Sequence, residues 1–268
     1  AVGIAWQCRG RSILHFNTQH GHIHYSTPQK AVNLATLALT EHFSYNSTVT
    51  KTSYNWVENI LRSGGFHRVI HNGVDLDRLS PFRKEKYGRV DSLVTAARLI
   101  PRKNLETVID ALKEVSEIKC TIVGEGPVRD KLQARAEQRG VDDRVTFTGY
   151  VQDRQDVYRI LSRADAFVLP SWSEGFCVAV AEAMALGLPV VVSDIPVFHE
   201  VVGEEGVFAD PERSESLADA LRHLVANPEE GERRGRANRR RICRHFTLQD
   251  TAAKYVEAYR DILQAANR

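Results

Sequence analysis

From residue 90 onward the chain repeats one pattern, a short apolar run of strand length followed by a longer run with apolar residues three and four apart. The spacing predicts strands at Ser92–Ala97, Cys120–Val123, Val145–Thr148, Ala166–Leu169 and Pro189–Ser193. Helical spacing lies between them, at Leu105, Val108, Ile109, Leu112 and Val115, over residues 128–138, at Val157, Ile160 and Leu161, and over Cys177–Leu186. Strands that alternate with helices and read as apolar runs belong to a parallel sheet covered on both faces. The pattern therefore predicts an α/β protein built on a doubly wound, Rossmann-like sheet. With 268 residues, 43% of them hydrophobic and 26% charged, the chain has the composition of a globular protein of one or two domains.

In such a sheet ligands bind beyond the carboxyl ends of the strands, beside the point where strand order reverses. The segments that follow the strands are Arg98–Lys103, Gly124–Pro127, Gly149–Asp153 and Ser171–Gly175. Ahead of them, residues 1–71 offer helical spacing at Ala31–Leu39 and Val57–Leu61 and a strand at Val69–His71. That is too little for a second α/β domain of ~100–150 residues. The expected organisation is an incomplete second Rossmann-like domain over 1–71, the main domain over 72–245 and a C-terminal segment over 246–268 that crosses back to the first. In that segment an amphipathic helix, Leu248–Leu263, is expected to pack through Tyr255, Tyr259 and Leu263.

Two features bear on chemistry. The stretch Phe176–Leu186 is apolar on all sides except for Glu182, which marks a buried helix carrying one carboxylate. A buried carboxylate needs donors, and either an internal salt bridge or the hydroxyls of a ligand can supply them. Glu174, eight residues earlier, stands at the strand-to-helix junction, where a helix start offers free N–H groups and a positive dipole to an anion. The second feature is Arg98, Arg102 and Lys103 on the loop after the first strand of the main domain, either solvated or gripping a diphosphate. Gly124-Glu125-Gly126-Pro127 is not a dinucleotide fingerprint, because Arg129 takes the place of the third glycine, and no Walker-A pattern occurs.

Together with Asn72-Gly73-Val74-Asp75, Val145–Val151 and the run Glu182-Ala183-Met184-Ala185-Leu186-Gly187-Leu188-Pro189-Val190-Val191, these motifs resemble the donor half of the family-4 retaining glycosyltransferases of the GT-B fold. The likeness spans about residues 40–265. It implies a hexosyltransferase that takes a nucleotide-diphosphate sugar as co-substrate, uses no metal ion or resident cofactor, and transfers with retention to a glycan or lipid-linked acceptor. Carried over by position, it implies that Arg98 and Lys103 hold the donor diphosphate and that Glu182 binds the ribose hydroxyls. Glu174 would contact the donor sugar, as would His20 in the segment Phe16–Gly21. The amides of Phe176 and Cys177 would hold phosphate within a donor-binding junction running from Gly175 to Val178. Val151 would meet the base through its main chain, and Gly124 and Gly126 would let the donor approach the backbone. Cys177 stands where the family has glycine. Two other readings share these residues: a non-catalytic nucleotide-sugar-binding remnant, which turnover would separate from a transferase, and a nucleotide-sugar epimerase, over which the pair Glu174 and Glu182 with Arg98 and Lys103 favours transfer.

Composition limits the partners. Thirty-six basic against 34 acidic side chains give a net charge of +2, which supplies no general field for nucleic acid. Cys8, Cys120, Cys177 and Cys243 are widely spaced, as reduced thiols of a cytoplasmic protein are, and no apolar run approaches the ~20 residues of a membrane span. Seven arginines between Arg233 and Arg244 read as a solvated helix face or as a contact with anionic lipid at the inner face of a membrane. His20, His22 and His24 alternate as metal ligands on a strand can, but no nearby cysteine or carboxylate completes a set, so no metal is expected.

Overall fold

The computed structural model describes residues 16–19, 42–52 and 67–266. The chain divides into two compact units, one of Ala1–Gly73, Glu174–Phe176 and Leu248–Arg268, the other of Val74–Ser173 and Cys177–Thr247.

In the first unit β1 (Phe16–Gln19), β2 (His42–Tyr45) and β3 (His67–Val69) form a parallel sheet in that order, with the short helix α1 (Thr48–Thr52) after β2. The expected helices at 31–39 and 57–61 lie outside the described residues, as does His20. The terminal helix of the chain, Leu248–Ala266, belongs to this unit. Thr251 donates its hydroxyl to the His71 carbonyl at 2.9 Å, the Tyr255 hydroxyl lies 3.4 Å from that of Ser44, and Arg68 pairs with Glu257 and Asp261. Its buried apolar residues are Ala258 and Ile262, whereas Tyr259 and Leu263 are 48% and 56% exposed. The inward stripe is thus Thr251, Tyr255, Ala258 and Ile262, spaced i, i+4, i+7 and i+11. The expectation based on the largest side chains is corrected by one position around the helix: the face tied down by the Thr251, Tyr255 and Arg68 contacts is the one that carries Ala258 and Ile262 inward.

The second unit holds the predicted parallel sheet, and it has six strands. Helix α2 (Leu76–Leu79) leads to β4 (Ser92–Ala96), α3 (Leu105–Glu114), β5 (Lys119–Val123), α4 (Arg129–Arg139), β6 (Val145–Gly149), α5 (Arg154–Arg163), β7 (Ala166–Leu169), α6 (Val178–Leu186) and β8 (Val190–Ser193). After these come α7 (Pro196–Val202), β9 (Val207–Ala209), α8 (Ser214–Ala226) and α9 (Pro228–His245); the helix over 248–266 is α10. Strand order is β6-β5-β4-β7-β8-β9, all parallel, so the order reverses between β4 and β7. Every residue of β7 and β8 is buried, as continuous apolar strands in a covered sheet must be. Edge strand β6 alternates in sequence and in burial. The three-residue β9 and helices α7 and α8 extend the sheet past the last predicted strand; β9 is too short to register as a periodic run.

Helix α6 ends where the sequence says it should. Gly187 takes φ 92°, and its N–H reaches the Ala183 and Met184 carbonyls, closing the last turn. The basic helix α9 packs on α6 at Gly235, where a Cβ would come within 2.2 Å of the Gly187 carbonyl oxygen. Its arginines are not simply a solvated face. Arg239 donates to the Ala185 carbonyl, Arg241 to those of Glu200 and Val201 at 2.8 and 2.9 Å, and Arg234 to those of Glu205 and Gly206. The last carbonyls of α6 and α7 have no partner within their own helices, and guanidinium forks satisfy them.

Candidate functional site

At the carboxyl edge of the sheet three strand-end loops are sewn together by main-chain hydrogen bonds. Ala97 N–H donates to Val123, Leu99 N–H to Glu125 and Gly124 N–H to Gly149, at 2.9–3.0 Å, and Trp172 N–H reaches Arg102 across the reversal point at 2.9 Å. The glycines make that seam possible. A Cβ on Gly124, whose φ is 138°, would lie 1.9 Å from the Ala97 oxygen, and one on Gly126 would lie 2.2 Å from the Leu99 oxygen. Their smallness serves loop-to-loop contact first.

Over this seam opens a cleft of about 450 Å³. Arg98, Gly124, Val151 and Glu182, four of the residues singled out in the sequence, line it together, with Glu125, Tyr150, Arg154 and Ala179. Arg98 is exposed, with no side-chain hydrogen bond or ion pair among the described residues. Glu182, on the buried helix α6, is 5% exposed. All its recorded donors converge on one oxygen: Oε1 accepts from Arg154 Nε at 3.1 Å, from Arg154 Nη2, and from the Tyr158 hydroxyl at 3.1 Å. Burial by itself lowers the Arg154 pKa, but the hydrogen bond and charge of Glu182 outweigh it and hold Arg154 above its ordinary value. Burial raises Tyr158, which keeps its hydroxyl a donor. The internal salt bridge left open by the sequence is therefore present, and it is made by a carboxylate that also faces the cleft.

Arg154 was the residue sequence reasoning missed. Its signal was its place in the first turn after the Gly149–Asp153 loop, whose Asp153 caps α5 by accepting from Gln155 N–H at 2.8 Å. Nothing in the spacing linked it to a glutamate 28 residues away.

The remaining predicted residues are placed differently. Lys103 closes a single 3₁₀ turn, Pro101–Lys103, is half-buried, and does not line the cleft. Gly126 is likewise absent from the lining. Glu174, Gly175 and Phe176 group with the first unit, where the buried Phe176 ring lies 6.2 Å from that of His71. Cys177 is not the first residue of α6 but its N-cap, at φ 66° and ψ 80°. This is the left-handed region that favours glycine, so the position keeps a glycine backbone under a cysteine side chain. The N-cap side chain itself makes no capping hydrogen bond, and the first N–H groups of α6, from Val178 onward beside cleft-lining Ala179, have no acceptor within the helix. A cation, a helix N-terminus and a partly committed carboxylate on one cleft suit a ligand that is anionic in one part and carries hydroxyls in another.

Residues 78–241 match the family model described as glycosyl transferases group 1. A glycogen synthase of Mycobacterium tuberculosis is 35% identical over 199 residues, 71% of this chain and 47% of its own. A GDP-mannose-dependent alpha-(1-6)-phosphatidylinositol dimannoside mannosyltransferase of the same species is 33% identical over 225 residues, 78% of this chain and 56% of its own. The chain thus spans about half the length of these relatives. Among solved structures, sucrose-phosphate synthase from Thermosynechococcus elongatus superposes with a TM-score of 0.82 at 22% identity, over 98% of this chain and 72% of its own. Anabaena HepE in complex with UDP and glucose gives 0.81 at 21% identity, over 96% and 74%. These likenesses establish the GT-B type of Rossmann-like fold.

Proposed function

The chain belongs to the group 1 glycosyl transferases, and on that premise we propose that its cleft is the nucleotide-sugar site of a hexosyltransferase acting with retention on a glycan or lipid-linked acceptor. The observation that carries this reading is the meeting of Arg98 and Glu182 on one cleft at the strand-order reversal. Arg98 holds the donor diphosphate and, as the bond to the sugar breaks, balances the charge that grows on the leaving phosphate. The N–H groups at the start of α6 act on the same charge. Lys103 lies outside the cleft lining, so Arg98 and the helix start carry this charge balance, the work a divalent metal ion does elsewhere. Glu182, with Oε1 committed to Arg154 and Tyr158, uses its other oxygen to accept from ribose hydroxyls. Val151 meets the base. Glu174 and His20 are the candidate groups for the donor sugar.

Among the described residues no helix is long and apolar enough to cross a membrane. The reading that the chain acts from the cytoplasm, and touches a membrane only peripherally if the acceptor is lipid-linked, rests on the composition argument above.

A thermal-shift panel of UDP, GDP and ADP tests the site, since a ligand at 100 times its Kd adds about 2.7 kcal/mol of stability. One nucleotide is expected to raise the melting temperature well above the others. Three null results would remove the cleft from consideration as a nucleotide site. Release of free nucleotide from the matching sugar donor then separates a transferase from a chain that only binds.

A further inference from the structure

The opposite end of the same sheet carries a second, smaller cleft of about 230 Å³. Its position follows from its anchors. Lys84 donates its main-chain N–H to the Leu186 carbonyl at 2.9 Å and its ammonium to the Ala164 carbonyl at 2.7 Å, and the Tyr87 hydroxyl donates to the Gly187 carbonyl at 2.8 Å. Ala164 and Gly187 lie just ahead of β7 and β8, at the amino ends of the strands, away from the cleft that Arg98 and Glu182 line.

The walls are basic on both sides. Arg236, Arg239 and Arg240 come from one face of α9, at i, i+3 and i+4, and Arg83 and Lys84 from the segment opposite. Carboxylates match only two of the five: Lys84 pairs with Asp165 at 3.0 Å and Arg236 with Glu232 at 2.7 Å. Arg83, Arg239 and Arg240 have no carboxylate partner among the described residues. Several of the cations are also held in place. Arg239 is tied to the Ala185 carbonyl, Arg236 sits 5.4 Å over the Tyr87 ring, and the contact of Gly235 with Gly187 fixes the helix they stand on. Like charges confined to a cleft repel one another and focus a positive potential, and planar guanidinium forks match the oxygens of a phosphate.

We propose that this cleft is a second anion site, which binds the phosphate group of a ligand other than the sugar donor. The phosphate belongs either to a lipid head group, which would bring the donor-binding unit to a membrane surface, or to a soluble phosphorylated compound acting as an effector. The site involves none of the residues assigned to transfer, so it stands or falls independently of the function proposed above.

Cys243 supplies a local reporter, because it is exposed and lines this cleft. The rate of its alkylation by iodoacetamide, read on its own peptide by mass spectrometry, reports on this cleft and not on the donor cleft. Millimolar pyrophosphate, or vesicles of phosphatidylcholine containing phosphatidylglycerol, should slow Cys243 alkylation in the full chain, and added salt should restore it. The double variant Arg83→Glu/Arg240→Glu, which removes two exposed side chains without a carboxylate partner among the described residues, should weaken that protection by at least about tenfold. If the charge reversal lowers the melting temperature, Arg83→Gln/Arg240→Gln replaces it. Protection by pyrophosphate alone assigns a soluble ligand, and protection by anionic but not by pure phosphatidylcholine vesicles assigns a lipid. No protection by either probe, or equal protection in wild type and variant, overturns the site.

Discussion

Replacing Glu182 by glutamine keeps the size of the side chain and removes its charge, which separates its observed ion pair from the ligand role proposed for it. As a salt-bridge partner, Glu182 is 6% exposed in its side chain while Arg154 is 52% exposed. A fully buried ion pair that loses one member costs ~3–5 kcal/mol. Solvent around Arg154 screens this pair, so Arg154→Ala should cost about 1–2 kcal/mol of stability. Glu182→Gln should cost less, because the amide oxygen still accepts from Tyr158 and Arg154. For binding the order reverses. If the free oxygen of Glu182 accepts from ribose hydroxyls, the loss of charged hydrogen bonds weakens nucleotide affinity by about 1–3 kcal/mol, roughly 5- to 150-fold. Two measurements on each variant decide it, urea denaturation for stability and calorimetric titration with the nucleotide that scored in the thermal panel. A Glu182→Gln protein that binds nucleotide as the wild type does, while its urea midpoint falls, would refute the ligand role and leave Glu182 as the internal partner of Arg154.

Arg98→Ala should lower turnover more than donor affinity, since the charge it balances is largest in the transition state, and activity should survive a chelator; turnover that collapses with EDTA and returns with Mg²⁺ contradicts this account. Cys177→Gly should raise stability by about 0.5–1 kcal/mol, as relief of a left-handed residue of ~1–2 kcal/mol exceeds the added freedom of the unfolded glycine; a lower melting temperature would show that the cysteine side chain contributes more than its backbone costs. Asp165 is pulled upward by burial, but Ser92, Lys84 and the Asp91 N–H outweigh this and hold its pKa below the ordinary carboxylate value. A depressed folded pKa contributes stability that is present above the unfolded value of ~3.9 and is lost as pH falls from there through the lower folded pKa. Stability should therefore begin to drop as pH falls below about 5 and go on dropping through the lowered folded pKa, and Asp165→Asn should flatten that slope; an unchanged slope in the variant assigns the acid sensitivity to other carboxylates.

The class of fold and the edge that carries the cleft were legible in the residues themselves. Apolar runs such as Ala166–Leu169 and the all-apolar helix around Glu182 report burial directly, because burial is averaged along the chain with the period of the element. The carboxyl-end rule then picked out Arg98, Gly124 and Val151, which line the cleft with Glu182. Other features needed the tertiary structure. The pairing of Arg154 with Glu182, the capping of α6 and α7 by arginines of α9 and the meeting of Arg83 and Arg240 on one cleft all bring together groups far apart in sequence. The left-handed backbone at Cys177 is likewise a matter of how the loop must enter α6, and which stripe of α10 faces inward, Ala258 and Ile262 and not Tyr259 and Leu263, was set by packing. A polar or charged side chain states that it needs a partner, but which partner it finds depends on what packing brings within about 3 Å, and periodicity along one chain carries no record of that distance.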